Sequence, residues 1–460
     1  MALITGLISG MDTGTLVSQL VAAEGATQNA LKSRMSATQT SASAYRTVNT
    51  TFLAITAAAE AALKPDLWTA AKGTPSSASV AVSVGAAPVN GSLSFTVESV
   101  ATNHGVSNKN AAWTSTTAPY GASSIEVFDS LGASKGTIPI GGTQTLADAA
   151  AAINANATMK LSAAVVQIRG GATPEFALQI SAKESGAENR FSLTGAGTFG
   201  DTTVGTDAEL KIGDAGGAYS VYSKTNTFDS VMPGATLTVS KKESTPVTVT
   251  VASDPDAVAA KVSALVDAVN AAINTVKTYT SNAQGSTAAL KGDYSLTSLA
   301  GRLLDAVAGA IGADGSPAKI GFQLTKDGRV TFDKAKFVTA LKETPDLGQR
   351  MISGTAASNG PDGVAGGGDD VVAVTGIAAK LLGIAKSASD ATTGSIVALA
   401  NGQDSLVKDY KARIEAWDLR LEKRRETLTR QFTAMETALS SLRNQSTWLA
   451  GQINSLPSAS

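Results

Sequence analysis

Apolar residues recur at alternating intervals of three and four along two long stretches at opposite ends of the chain. Between Leu16 and Leu63 there is no proline and one glycine, Gly25, and Tyr45, Val48, Phe52, Ile55, Ala59 and Ala62 fall on a single helical stripe. Pro65 stops the pattern. The C-terminal stretch is stronger. Val407, Tyr410, Ile414, Trp417, Leu421, Arg424, Leu428, Gln431, Met435, Ala438, Leu442, Gln445 and Leu449 follow a heptad seam, polar at Arg424, Gln431 and Gln445. Asp409, Arg413, Glu415, Asp418, Arg420, Glu422, Lys423 and Glu426 surround it with both signs of charge. A long helix with one apolar stripe needs something to bury that stripe against. The N-terminal helical segment is the expected partner.

The period changes to two between Lys72 and about Asp254. Residues 79–85, 92–98, 125–128, 176–181, 236–240 and 247–251 alternate apolar and polar positions as half-buried strands do. Turn signals at 89–92 and 232–235 fit an antiparallel arrangement. One helix interrupts the strands at 145–154, with Thr145 as N-cap and Asp148 three residues on. Helical stripes return at Val258, Val262, Leu265, Val269, Ile273 and Val276, and again at Leu296, Leu299, Leu303, Val307 and Ala310. Residues 322–332 read as a hairpin turning at Asp327 and Gly328, and the Gly- and Asp-rich stretch 353–370 as a flexible loop.

The expected class is α+β: a helical stalk of N- and C-terminal coiled-coil or bundle segments, carrying a two-lobed β-rich head inserted mid-chain. The divisions expected are 1–44 with 401–460 for the terminal helices and 45–72 with 254–400 for a helical bundle. The head divides into 73–104 with 205–253 and a second lobe at 105–204. A chain of 460 residues has room for several cores of this kind.

Composition removes most chemistries. Without cysteine there is no thiolate nucleophile, disulfide or Cys-based metal site. A serine triad would depend wholly on His104, the lone histidine, whose setting in Thr102-Asn-His-Gly-Val106 reads as a polar turn on the surface. Asp369 and Asp370 beside Gly366–Gly368 lack the ligand spacing of a calcium loop, and no Gly-Lys dipeptide exists to form a P-loop. Asp418 and Glu422 are interleaved with Arg420, Lys423, Arg424 and Arg425, which fits a surface ion-pair network better than paired acid–base catalysis or a nucleic-acid patch. The net charge of −1 agrees, and no run approaches the roughly 18 apolar residues of a membrane span. The first ten residues lack the basic start of a signal peptide, so the chain is expected either to be cytoplasmic or to leave the cell by a route that needs no cleaved signal. No enzyme activity, cofactor, metal, nucleic acid or membrane insertion is expected. Trp113 and Tyr120 beside a Thr/Ser-rich loop read as surface aromatics and, on an alternative reading, as a platform for a host glycan.

Both termini also carry a resemblance. Thr5-Gly-Leu-Ile-Ser-Gly-Met-Asp12 followed by Leu16-Val-Ser-Gln-Leu-Val-Ala-Ala-Glu24, Ser43-Ala-Tyr45 and Gln431-Phe-Thr-Ala-Met-Glu436 are similar to motifs of the flagellar filament cap family, also called hook-associated protein 2 or FliD. Residues 226–237 and 321–328 resemble further segments of that family, and residues 145–154 with 164–167 and 178–181 resemble a repeat motif shared by flagellin and hook proteins. The chain departs from it where a Pro-Leu is absent from Gly25-Ala-Thr-Gln28, and where Met435 replaces leucine.

The resemblance implies a homo-oligomeric ring, a pentamer, at the extracellular tip of the flagellum, where it promotes flagellin folding and insertion. Its implied partners are other copies of itself, flagellin, the hook-associated junction proteins, the flagellar type III export apparatus and an export chaperone on the C-terminal helix. Leu7, Ile8, Met11, Leu16, Leu20, Tyr410, Ile414, Trp417, Leu421, Leu428, Phe432, Met435, Leu442 and Leu449 are the residues expected at filament and subunit interfaces. The alternatives are a host-glycan or mucin adhesin using the head, and a hook–filament junction or flagellin-like subunit. A seam broken by polar residues suits an interface that opens and re-forms.

Overall fold

The structure, a computed structural model, describes residues 12–85, 88–109, 113–141, 143–358 and 372–454. The chain divides into two compact units, 1–64 with 259–460 and 65–258. Helices occupy the ends and strands the middle, an α+β architecture as the periodicities predict.

The first unit opens with α1 (Thr13–Glu24) and α2 (Ala26–Leu63), separated at Gly25. Every residue of the predicted α2 stripe, Tyr45 to Ala62, is buried. After the strand-rich unit come α5 (Pro255–Thr280), which starts at the unit boundary, and α6 (Tyr294–Ala308). The stripes of both are buried too, except at Ala310, which lies beyond the end of α6 and is exposed. A hairpin, β16 (Phe322–Leu324) with β17 (Val330–Phe332), turns at Gly328 with φ 67°, as its Asp-Gly signal predicts. The Asn270 side-chain amide of α5 clamps it, donating to the Val330 carbonyl at 2.7 Å and accepting from the Val330 N–H at 2.9 Å.

Helices α7 (Lys334–Glu343) and α8 (Pro345–Ser353) follow. Part of the predicted 353–370 loop is ordered. Ser353 closes α8, and β18 (Gly354–Thr355) pairs with β19 (Val374–Thr375); residues 359–371 lie outside the described residues. At Gly354, φ 92°, a Cβ would stand 2.2 Å from the Val374 carbonyl oxygen, so only glycine permits the pairing. Then come α9 (Ile377–Ser389) and α10 (Ser395–Asn454), a helix of 60 residues. Helix α2 packs on both α9 and α10.

The second unit contains α3 (Pro65–Trp68), β1 (Ala71–Pro75), β2 (Val80–Val84), β3 (Gly91–Ser99), β4 (Asn103–Lys109), β5 (Ser124–Phe128), β6 (Ser134–Pro139) and α4 (Leu146–Ala155). It continues with β7 (Leu161–Arg169), β8 (Glu175–Ser185), β9 (Ser192–Thr194), β10 (Phe199–Thr203), β11 (Ala208–Ile212), β12 (Tyr219–Ser223), β13 (Thr227–Met232), β14 (Ala235–Val239) and β15 (Glu243–Ser253).

Two hydrophobic cores organise this unit. One lies with a five-stranded sheet, β1-β15-β3-β11-β12, and a three-stranded sheet, β13-β14-β2, and holds Phe95, Val97, Leu210, Leu237, Val247 and Val249. The period of two in β15 is explicit, since Val247, Val249 and Val251 are buried while Thr248 and Thr250 are not. The other core lies with β10-β4-β8-β7 and β6-β5-β9 and collects Ile125, Leu146, Ile153, Leu178 and Ile180. Helix α4 starts with the predicted capping box. The Thr145 hydroxyl accepts from the Asp148 N–H at 3.1 Å, and the Asp148 carboxylate accepts from the Thr145 N–H at 3.1 Å.

Candidate assembly interface

The helices nearest the two chain ends meet in the first unit. Asp12 starts α1 by accepting from the Thr15 N–H at 2.9 Å and from its hydroxyl, which holds the Asp12 carboxyl below its ordinary range. From there Val17 and Val21 project onto α10 and are buried against Leu428, with Leu421 and Phe432 half-buried beside them. Leu16, one of the expected contact residues, is half-buried, and Leu20 is exposed. Val17 and Val21 thus form the α1 side of the intrachain contact, while Leu16 and Leu20, expected at filament and subunit contacts, lie beside it. The stripe runs on through the break, with Val17, Val21, Gly25 and Gln28 buried at the same three-four spacing as Ala42, Tyr45 and Val48.

Polar groups on both sides of the break tie α1 and α2 to α10. The buried Gln28 side chain donates to Asp418 and accepts from Lys32 Nζ at 3.2 Å, Arg424 Nε donates to Glu24 at 2.8 Å, and Arg46 pairs with Asp404. Asp418 thus serves an inter-helix hydrogen bond rather than a charge network along the helix surface. Arg420 lies 4.8 Å from the Trp417 ring centre instead.

Along α10 the expected interface residues separate into three groups. Ile414 and Leu428 are buried, whereas Tyr410, Trp417, Leu421, Phe432 and Met435 are half-buried. Leu442 and Leu449 are 60% and 55% exposed. Trp448, which the heptad reading passed over because it sits one position from the seam, is 66% exposed and borders a groove of about 610 Å³ with Asn444 and Gln445. Leu7, Ile8 and Met11 lie outside the described residues.

Two expectations in the strand-rich unit are corrected. Trp113 and Tyr120 are not surface aromatics. Each is 1% exposed, their rings stack at 5.7 Å, and the Trp113 indole N–H donates to the Pro119 carbonyl at 3.2 Å. They are core of the lobe and present no face to a sugar. His104 is likewise not in a surface turn. It belongs to β4 and is 3% exposed, packed against the Phe191 ring and bonded to Phe191 and Gly205, residues far along the chain that its own polar segment does not announce. Among the described residues no group of three His, Asp or Glu is placed to hold a metal ion, and no helix is long and apolar enough to cross a membrane.

Residues 9–104 match the family model of the flagellar hook-associated protein 2 N-terminus, and residues 205–444, more than half of the chain, match that of its C-terminus. The chain belongs to the flagellar hook-associated protein 2 (FliD) family. Residues 105–204, between the two FliD matches, carry the core around Leu178 and Ile180.

Among solved structures, the D1-D2-D3 domains of the flagellar cap protein FliD from Escherichia coli are similar, with a TM-score of 0.55 at 21% identity over 78% of this chain and 99% of that one. This likeness establishes a shared fold. FliD (HAP2) from Pseudomonas aeruginosa PAO1 has a TM-score of 0.34 at 18% identity, over 45% of this chain and 97% of that one. The cap protein FliD from Bdellovibrio bacteriovorus has 0.30 at 20%, over 38% and 99%. No curated protein is significantly similar in sequence.

Proposed function

We propose that the chain caps the distal end of the bacterial flagellar filament as a homo-oligomeric ring and promotes the folding and insertion of flagellin there. Membership of the hook-associated protein 2 family carries this reading, and the fold shared with a flagellar cap protein supports it. The terminal helix pair gives it physical content. Its contact is thin, with three buried apolar residues, and the distal third of α10 presents Leu442, Trp448 and Leu449 to solvent. Large apolar side chains grouped on one exposed helix call for a partner. A shallow, partly polar contact suits helices that must dock and release as a cap advances.

The interface comprises Leu7, Ile8, Met11, Leu16 and Leu20 at the N-terminus and Tyr410 through Leu449 on α10. The chain has the four-part division expected from its periodicities, reaches the cell exterior through the flagellar export apparatus without a cleaved signal, and contacts flagellin and junction proteins. Pentameric stoichiometry belongs to the same proposal.

Deleting residues 1–15 tests the reading in cells: short filaments, lost motility and flagellin shed into the medium are expected, whereas normal motility and filament length would contradict it. Native mass measurement tests it in solution. A cap stops at closed rings, while a junction or flagellin-like subunit extends into open filaments.

A further inference from the structure

The two β cores of the strand-rich unit are linked by two chain crossings, residues 101–106 outward and 203–208 back. His104, the single histidine of the chain, sits between them. Its ring is buried, with the Phe191 ring edge-on at 5.0 Å, and both nitrogens are engaged. Nε2 lies 2.9 Å from the Phe191 carbonyl oxygen, and Nδ1 lies 3.3 Å from the Gly205 backbone nitrogen. A carbonyl accepts only and a backbone N–H donates only, so these partners assign the neutral tautomer with its proton on Nε2. The ladders slip on either side of His104. Asn103 and Gly105 face Ser185 and Ser181 on β8, and a second irregularity lies between Asp201 and Thr203 on β10. Beside the histidine the crossings are joined through Thr102, which bridges Thr206, donates from Oγ1 to the Val204 carbonyl at 2.8 Å and accepts there from the Thr206 N–H at 3.1 Å.

We propose that His104 is an acid-sensitive latch between the two β cores. In its neutral form it accepts the Gly205 N–H. Protonation places a second N–H on Nδ1, facing the Gly205 N–H, so that bond is lost and the returning crossing loosens at Gly205. Charged groups on the surrounding elements leave this asymmetry in place. Asp201 on β10 stands 3.6 Å from Nε2, the nitrogen that keeps its proton. Arg190 donates to the Gly205 carbonyl at 2.6 Å, putting positive charge beyond the same peptide. Asp207 accepts from the Ala187 N–H at 2.7 Å at the far end of the crossing, and on β8 Lys183 is exposed while Glu184 pairs with Lys160. The latch therefore releases on its Nδ1 side, and the consequence is a freer hinge between the cores. This inference does not depend on the capping role.

A lone histidine makes the test direct. In the full-length chain carrying isotope-labelled histidine, the ring ¹⁵N resonances are followed from pH 7.5 to 5, and amide exchange of 203–207 is measured in parallel by mass spectrometry, corrected for intrinsic pH dependence. The Nε2–H tautomer is expected at pH 7.5. On protonation, exchange at Gly205 is expected to quicken roughly tenfold while α4 stays protected, as loss of one hydrogen bond implies. In His104→Asn, which keeps a side-chain acceptor but does not titrate, that acid response disappears. Protonation without faster exchange, no protonation before α4 itself opens, or the same acid response in His104→Asn would each overturn the proposal.

Discussion

Replacing Leu428 by alanine isolates what holds α1 in place. Leu428 is buried with Val17 and Val21, and Leu421 and Phe432 border them in a cluster separate from both β cores. Truncating a leucine in a closed core costs about 2–5 kcal/mol, the spread reflecting how far the site collapses or fills. Here the cluster is small and adjoins an open groove of about 310 Å³ lined by Val17, Arg425 and Phe432. The cost falls at the lower end, about 2 kcal/mol, or roughly 30-fold in the docking equilibrium of α1. A helix of 12 residues is marginal alone, so undocking also unfolds it.

Hydrogen exchange over residues 16–24 should therefore quicken about 30-fold in Leu428→Ala, while residues 48–62 of α2, buried in a different core, keep their protection. Arg424→Ala is the control. Its ion pair with Glu24 is 2.8 Å long, but both side chains are over two-fifths exposed, so its loss should change exchange by less than about threefold. An unchanged α1 in Leu428→Ala, an equal effect from Arg424→Ala, or simultaneous loss of protection in α1 and α2 would refute this reasoning.

Tyr45→Phe removes the phenol that donates to Asp293 at 2.6 Å, the residue that also caps α6 through the Leu296 N–H. A loss of about 1–2 kcal/mol is expected, read as a fall in the melting temperature of a few degrees. Asp148 provides a pH test. Its carboxyl is held below the ordinary 3.8 by the Thr145 backbone, then by the Thr145 and Thr143 hydroxyls. A depressed acid contributes above its unfolded value and loses that contribution as pH falls through its folded value, so exchange at the start of α4 should rise below about pH 4 in the wild type. The same titration of Asp148→Asn should be flat there. Trp448→Ala should raise the concentration needed for self-assembly about 30-fold, as truncation of a central interface tryptophan does, with no change in the melting temperature of the first unit; native mass against concentration reads it.

Legibility in the sequence followed periodicity. The stripes of α2, α5 and α6 and the capping box of α4 were readable because each residue type had one physical reason to be where it is. Strands β6, β10 and β12 were not, since Ser134–Pro139, Phe199–Thr203 and Tyr219–Ser223 are short, partly exposed edges whose alternation is diluted by glycine, serine and threonine. At the candidate interface the α10 seam was visible but its burial was not. Periodicity says which residues share a face and nothing of how much of that face a partner covers, so Leu428 and Leu442 look alike in sequence and differ in structure. His104, Trp113 and Tyr120 were misplaced for a related reason. Their burial depends on strands far away in the chain, and a short polar segment carries no trace of them.

The capping role is tested most directly by where the protein resides. A strain lacking the native chain should be complemented by a version tagged within the strand-rich unit, and intact filaments then imaged with a label specific for the tag. One labelled focus at the distal end of each filament is the expected result. Label along the shaft, or confined to the junction with the hook, would contradict a cap and identify a different member of the assembly.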